Sequence, residues 1–185
     1  MALIGLKKFV CGVLTETGDS WEYGEPMIPG KAVSCSVSIT NNSGSLYADD
    51  ALAESDTSFQ SGTVTLTLDN ADIDIYATLL GHSTGSNGEI VRNAMDVAPY
   101  VGLGRVVTLM VGGTYKYRIE FLRKVKFSEP SQDNNTKGET LEFGTPTLEG
   151  TVATLANGDW SDVKEFDEED DAIEFLYGYF EEASE

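Results

Sequence analysis

Val33-Ser34-Cys35-Ser36-Val37-Ser38-Ile39-Thr40 is a strict alternation of apolar and hydroxyl side chains. A period of two sends successive side chains to opposite faces of an extended chain, so the stretch predicts a strand with one face on a core. Thr63-Val64-Thr65-Leu66-Thr67-Leu68 follows the same grammar. The outward sets, Ser34, Ser36, Ser38, Thr40, Thr63, Thr65 and Thr67, carry hydroxyls instead of charges. Such a face suits equally an ordinary solvated strand and a wide sheet continued by neighbouring chains.

Working outward, Lys7 to Glu16 reads as a first strand, followed by a turn-rich stretch holding Gly18, Gly24, Pro26, Pro29 and Gly30. Arg105 to Val111 is a strand, Gly112-Gly113 a hairpin signal, and Tyr115, Tyr117, Ile119 and Phe121 alternate along the return strand. Leu122 breaks that alternation, which predicts a bulge or cover on both sides. Thr140 to Phe143 and Thr147 to Ala153 supply two more strands, with Pro146 between them favouring an edge or bend. Ile73, Tyr76, Ala77 and Leu80 recur at helical spacing, so a helix is expected over 72–80, capped by Asp69 or Asn70 and stopped by Gly81. Ala172, Ile173, Leu176, Tyr177 and Phe180 form the stripe of an amphipathic helix over 168–183. The expected fold is mainly β: a domain over 1–160, then an acidic helical extension over 161–185.

One long stretch, 41–61, lacks a period and is expected to be an irregular loop. It carries Leu46, Tyr47, Ala51, Leu52 and Phe59, more apolar groups than a solvated loop tolerates, with Asp49-Asp50 among them. Burial against another subunit accounts for them. A flap folded over its own sheet is the alternative.

The 185 residues have 41% hydrophobic content, enough for a core and against general disorder. The net charge is −19, with 12 acids from Asp159 onward against Lys164 alone. Nucleic-acid affinity comes mainly from Lys and Arg at phosphates, so a tight DNA binder is not expected. Apolar runs such as Val106 to Val111 are too short to span a bilayer. At the N-terminus the charges of Lys7 and Lys8 follow the apolar residues, the wrong order for a secretory signal, so folding in the cytosol is expected. Cys11 and Cys35 each alternate with apolar residues and read as buried free thiols.

Catalytic signals are poor. His82 is the single histidine, at a helix end where a cation is merely favourable. No nucleophile elbow is present, and neither Asp49-Asp50 nor the acids near Asp170 have the ligand spacing of a calcium loop. Gly102-Leu103-Gly104-Arg105 opens a strand and does not make a phosphate cradle. No enzyme activity, metal or cofactor is therefore expected. Arg118, Arg123, Lys124 and Lys126 gather on one hairpin, as a nucleic-acid patch or as contacts to an acidic neighbour such as the next subunit's C-terminal helix.

Three pieces carry a family resemblance: Leu46-Tyr47-Ala48-Asp49-Asp50-Ala51-Leu52-Ala53-Glu54, then Phe59-Gln60-Ser61-Gly62-Thr63-Val64-Thr65-Leu66, then Leu79-Leu80-Gly81. Together they resemble the phi13-type major tail proteins of long-tailed phages. Lys124 to Phe127, Lys137 to Thr140 and Thr145 to Gly150 are similar to that family's later strands, in order. The resemblance runs from the first strand to Trp160. It implies a β-sandwich or open barrel with a flanking helix, closing into six-membered rings that stack into a hollow, DNA-conducting tube. It further implies a virion-tail location after assembly in the host cytoplasm. The implied partners are other copies of the chain, the tape measure, tail terminator and distal tail proteins. Double-stranded DNA would pass without specific binding. The 41–61 loop would reach a neighbouring subunit or ring, and the hydroxyl residues named above would line the lumen. A lumen poor in Lys and Arg avoids trapping phosphates. The alternatives are a monomeric β-sandwich module binding carbohydrate or a host surface, with Trp21 and Trp160 as an aromatic platform, and a contractile-tail or secretion-system tube.

Overall fold

The computed structural model describes residues 2–48, 51–69, 72–130 and 147–181, with the strand backbone alone over 44–48 and 51–56. In chain order the elements are β1 (Ala2–Thr17), β2 (Ser20–Tyr23), β3 (Ala32–Ala48), β4 (Ala51–Leu68), α1 (Ile73–Leu80), β5 (Ser83–Thr84) and β6 (Ile90–Val91). They continue with β7 (Tyr100–Val111), β8 (Thr114–Ser128), β9 (Thr147–Val152), β10 (Ser161–Phe166) and α2 (Glu169–Glu181). The protein is mainly β, an antiparallel sheet with two helices. The strand expected at Thr140 to Phe143, and Pro146, lie outside the described residues.

The sheet runs β2-β1-β7-β8-β9-β4-β3, and β10 adds to β8. β8 has two different neighbours on one edge, because Tyr117 to Leu122 pair with β10 and Val125 to Ser128 pair with β9. The changeover coincides with a bulge, since Val101 faces Val125 but Leu103 faces Leu122. The extra residue, between Leu122 and Val125, resets the phase so that Leu122, Val125 and Phe127 all face the first core while Ile119 and Phe121 face the second. The break in alternation at Leu122 reflects cover on both sides, and the bulge follows it. The β7–β8 hairpin turns on Gly112 and Gly113 at φ 60° and 87°, values that the two-residue turn requires and a side chain resists.

Two cores result. The first joins Phe9 and Cys11 of β1, Val64, Leu66 and Leu68 of β4, Leu148 of β9 and Leu79 of α1, so the sheet curls β1 round toward β3. The second lies on the other side, where Val10, Val106, Ile119 and Phe121 meet Ala172, Leu176 and Phe180 of α2. A bulge at Lys8, held at φ 47°, switches the β1 register so that Leu6 and Cys11 can both serve the first core. Cys11 is fully buried; Cys35 is only half-buried and accepts a hydrogen bond from Arg105 Nη1 at 2.7 Å.

Three local expectations change. α1 is capped by Asp72, whose side chain accepts from Asp74 N at 3.0 Å, and not by Asp69. Asp69 instead accepts from Lys31 N at 2.9 Å, and Asn70 lies outside the described residues. Residues 161–166 are a strand before they are a helical extension: Asp162 and Glu165 reach back to Arg123 and Arg118 of β8, and those ion pairs align the chain with the sheet edge. The stretch 41–61 is no loop. It completes β3 and β4 as a continuous ribbon from Asn41↔Phe59 to Ala48↔Ala51. Pairing of β3 with β4, which needs no apolar period, makes it extended. No helix among the described residues is long and apolar enough to cross a membrane.

Candidate functional site

The hydroxyl residues singled out from the sequence come together on one surface. Ser34 lies opposite Thr67, Ser36 opposite Thr65, Ser38 opposite Thr63 and Thr40 opposite Ser61. β9 extends the rows, with Thr67 opposite Thr147, Thr65 opposite Glu149 and Thr63 opposite Thr151. β8 extends two of them again, through Ser128 beside Glu149 and Lys126 beside Thr151. Paired residues of an antiparallel ladder share a face, so four strands present one hydroxyl-rich surface. Beneath it, Val64, Leu66, Leu68, Leu148 and Val152 fill the first core. The chemistry is uniform: short neutral donors and acceptors, with Glu149 and Lys126 as the charges. Lys126 Nζ lies 5.3 Å from the Tyr100 ring centre, and Lys124 Nζ lies 4.6 Å from it.

From this face projects the arm. β4 pairs with β9 over Gly62 to Thr67, so beyond Thr40↔Ser61 the ribbon is two strands wide among the described residues. It continues for eight residues of β3, Asn41 to Ala48, a reach of about 25 Å at strand spacing. A register shift at its root leaves Gln60 unpaired, the kind of bulge that bends and twists a ribbon. Leu46, Tyr47, Ala51 and Leu52 occupy its far end, with Tyr47 opposite Leu52; Asp49 and Asp50 lie outside the described residues. Phe59 does not join them. It stacks on Trp160 of the same chain, ring centres 4.7 Å apart and planes 9° apart, and is half-buried.

The basic residues find partners within the chain. Arg118 bonds Glu165 at 2.6 Å, and Arg123 bonds Asp162 at 2.9 Å while lying 5.8 Å from the centre of the Trp21 ring. Lys124 pairs with Glu16. Lys7 and Lys116 likewise hold Glu169 at 2.8 Å and Asp167 at 2.9 Å, fastening the start of α2 and the residues before it. The acidic C-terminal segment therefore meets this hairpin inside one chain. Trp21 packs on the second core and Trp160 on the first, so the two do not form a common platform.

Two constellations escaped the sequence. Arg105 and Glu120 form an ion pair beside Cys35, in the wall of an apolar cleft of about 200 Å³. His82 is the other: Nδ1 lies 2.8 Å from Asp96 Oδ2, and Nε2 lies 2.9 Å from Glu129 Oε2. The hydrogen bond to Asp96 is the largest cause holding its pKa above the ordinary histidine value, and Glu129 adds to it. The partners stand 14 and 47 residues away, at separations where sequence spacing carries no signal. Among the described residues no cluster of three or more His, Cys, Asp or Glu side chains is arranged to hold a metal ion. No family model matches the chain, and no curated protein matches it.

Proposed function

We propose that this chain is a non-catalytic structural protein, the subunit of a phage tail tube, which closes into rings with other copies of itself. On this reading the curled sheet with its flanking helix is a tail-tube fold, the rings stack, and the arm spans from one copy to another. The observation that carries the reading is the arm itself. A two-stranded ribbon is at best marginally stable alone in water, and this one extends beyond the other strands of its sheet among the described residues. The edge of β3 supports it further: among the described residues β3 ends the sheet, and a long edge of this kind offers backbone groups to a partner strand.

The hydroxyl face supplies the lining. Phosphate slides over neutral hydroxyls without the electrostatic traps that Lys or Arg would set, and the net charge of −19 opposes adhesion of DNA generally. In this reading the tape measure, terminator and distal tail proteins are the remaining partners, and the virion tail is the location. The resemblance in the arm and its flanking strands favours this tube over a contractile-tail or secretion-system tube.

Negative-stain electron microscopy of tag-free protein across concentration tests it. Rings or hollow tubes of uniform width are the expected result. A particle that stays monomeric even with phage tail initiator proteins present overturns it and turns attention to the carbohydrate- or surface-binding module.

A further inference from the structure

We propose that His82 is a proton-operated clasp that holds three separate parts of the chain together when the imidazole is charged and releases one of them when it is neutral. The ring sits just past α1, behind the Gly81 cap, with its side chain only 7% exposed. Both of its nitrogens face carboxylate oxygens, at 2.8 Å and 2.9 Å. A neutral imidazole has one N–H and one lone pair, so it can serve only one of these acceptors; the other contact then sets a lone pair against an anion. Only the imidazolium donates to both. The geometry itself thus requires a proton that an isolated histidine would lose near neutrality.

The charged groups facing the ring come from every element around it. Asp96 belongs to the segment leading into β7, and the same Oδ2 also accepts from Asn93 N at 2.8 Å, which fixes its position and helps to hold its pKa low. Glu129 follows β8 and is held on its other oxygen by Arg92 at 3.2 Å. Tyr76, on α1, lies within the field of both Glu129 and Arg92. Leu80, Ala94, Ala98 and Phe127 make the apolar remainder of the hollow. Closure therefore ties the end of α1 to residues 92–98 and to the end of β8. Met95 and Val97, 84% and 71% exposed, ride on the tied segment, so the clasp sets how that apolar surface is presented.

The sign follows from the raised pKa. The clasp is fully closed below the unfolded-state histidine value of about 6.5 and opens as pH rises through the folded value above it. It weakens again only in strong acid, where Asp96, whose pKa is held low, takes a proton.

Because His82 is the only histidine, its ring protons give a single NMR titration in the full-length wild-type protein. The expected midpoint lies above about 6.5, and Asp96→Asn moves it down. Amide exchange over residues 93–98 and over 127–129, measured against reference amides in α2 to remove the intrinsic pH effect, should accelerate about tenfold in one of the two segments across that midpoint, as one charge-assisted bond is lost. A midpoint at or below about 6.5, or protection of both 93–98 and 127–129 unchanged through the titration, overturns the clasp. Both readouts come from the wild-type protein, so a variant that fails to fold does not obscure the result.

Discussion

Gly104→Ala and Leu176→Ala, singly and together, test whether the acidic C-terminal helix is part of the folded body. Gly104 lies on β7, between Phe121 of β8 and the fully buried Leu176 of α2. A Cβ added there would overlap Leu176 Cδ1 and stand 3.1 Å from Phe121 Cδ2. Overpacking of this kind costs about 1–3 kcal/mol, although a Gly→Ala change in compatible strand backbone would otherwise gain a few tenths to 1 kcal/mol from the unfolded state. Leu176→Ala empties a site of 0% exposure, a loss of about 2–5 kcal/mol. For a chain of this length each kcal/mol is about 2–4 °C in Tm, so Leu176→Ala should lower Tm by roughly 4–20 °C. In the double variant the new methyl enters the space that Leu176 vacates. Gly104→Ala should then be neutral or mildly stabilising, and the two changes should be non-additive by more than about 1 kcal/mol. Urea unfolding of dilute protein followed by tryptophan fluorescence reads this directly, with the exposed Glu174→Ala as a control expected within about 0.5 kcal/mol of the parent. Additive losses, or a Leu176→Ala loss below about 1 kcal/mol, would refute the docking of α2 into this groove.

Replacing residues 43–56 by a two-residue turn should leave thermal unfolding of the body within a few degrees of the parent while abolishing rings in electron micrographs; a shortened protein that still assembles refutes the arm's role. Ser36→Lys with Thr65→Lys puts two cations on neighbouring positions of the hydroxyl face. Stability should change by less than about 1 kcal/mol, while DNA retention appears and steepens with falling salt, by up to about two units in the log–log slope. Unchanged DNA behaviour in assembled tubes would remove that face from the lumen. Burial pushes the Cys11 thiol up to about 12, so a thiol reagent at mildly alkaline pH should modify it only on unfolding. The unfolded thiol ionises first, near 9.0, so Cys11 makes the fold lose stability as pH rises from there toward about 12. Rapid labelling of Cys11 in the native state contradicts this.

Local chemistry is what a sequence encodes directly, and here it determined the elements that local chemistry controls. The alternation of Val33 to Thr40 and Thr63 to Leu68, the Gly112-Gly113 turn, the stripe on α2 and the two-sided cover at Leu122 each arise from a few neighbouring residues and a face to bury. The hydroxyl rows were legible as two strands, and tertiary pairing through β9 made them one surface. Other features depend on partners far along the chain. Residues 41–61 became strands because β3 and β4 pair with each other, not because any apolar period required it. Phe59 turned inward because Trp160 offers it a flat ring. Arg118 and Arg123 found acids on β10, and His82 found two carboxylates at once, through contacts the fold alone creates. Periodicity records which face of an element is buried, whereas electrostatic pairing and stacking depend on which elements meet; that second choice belongs to the tertiary structure.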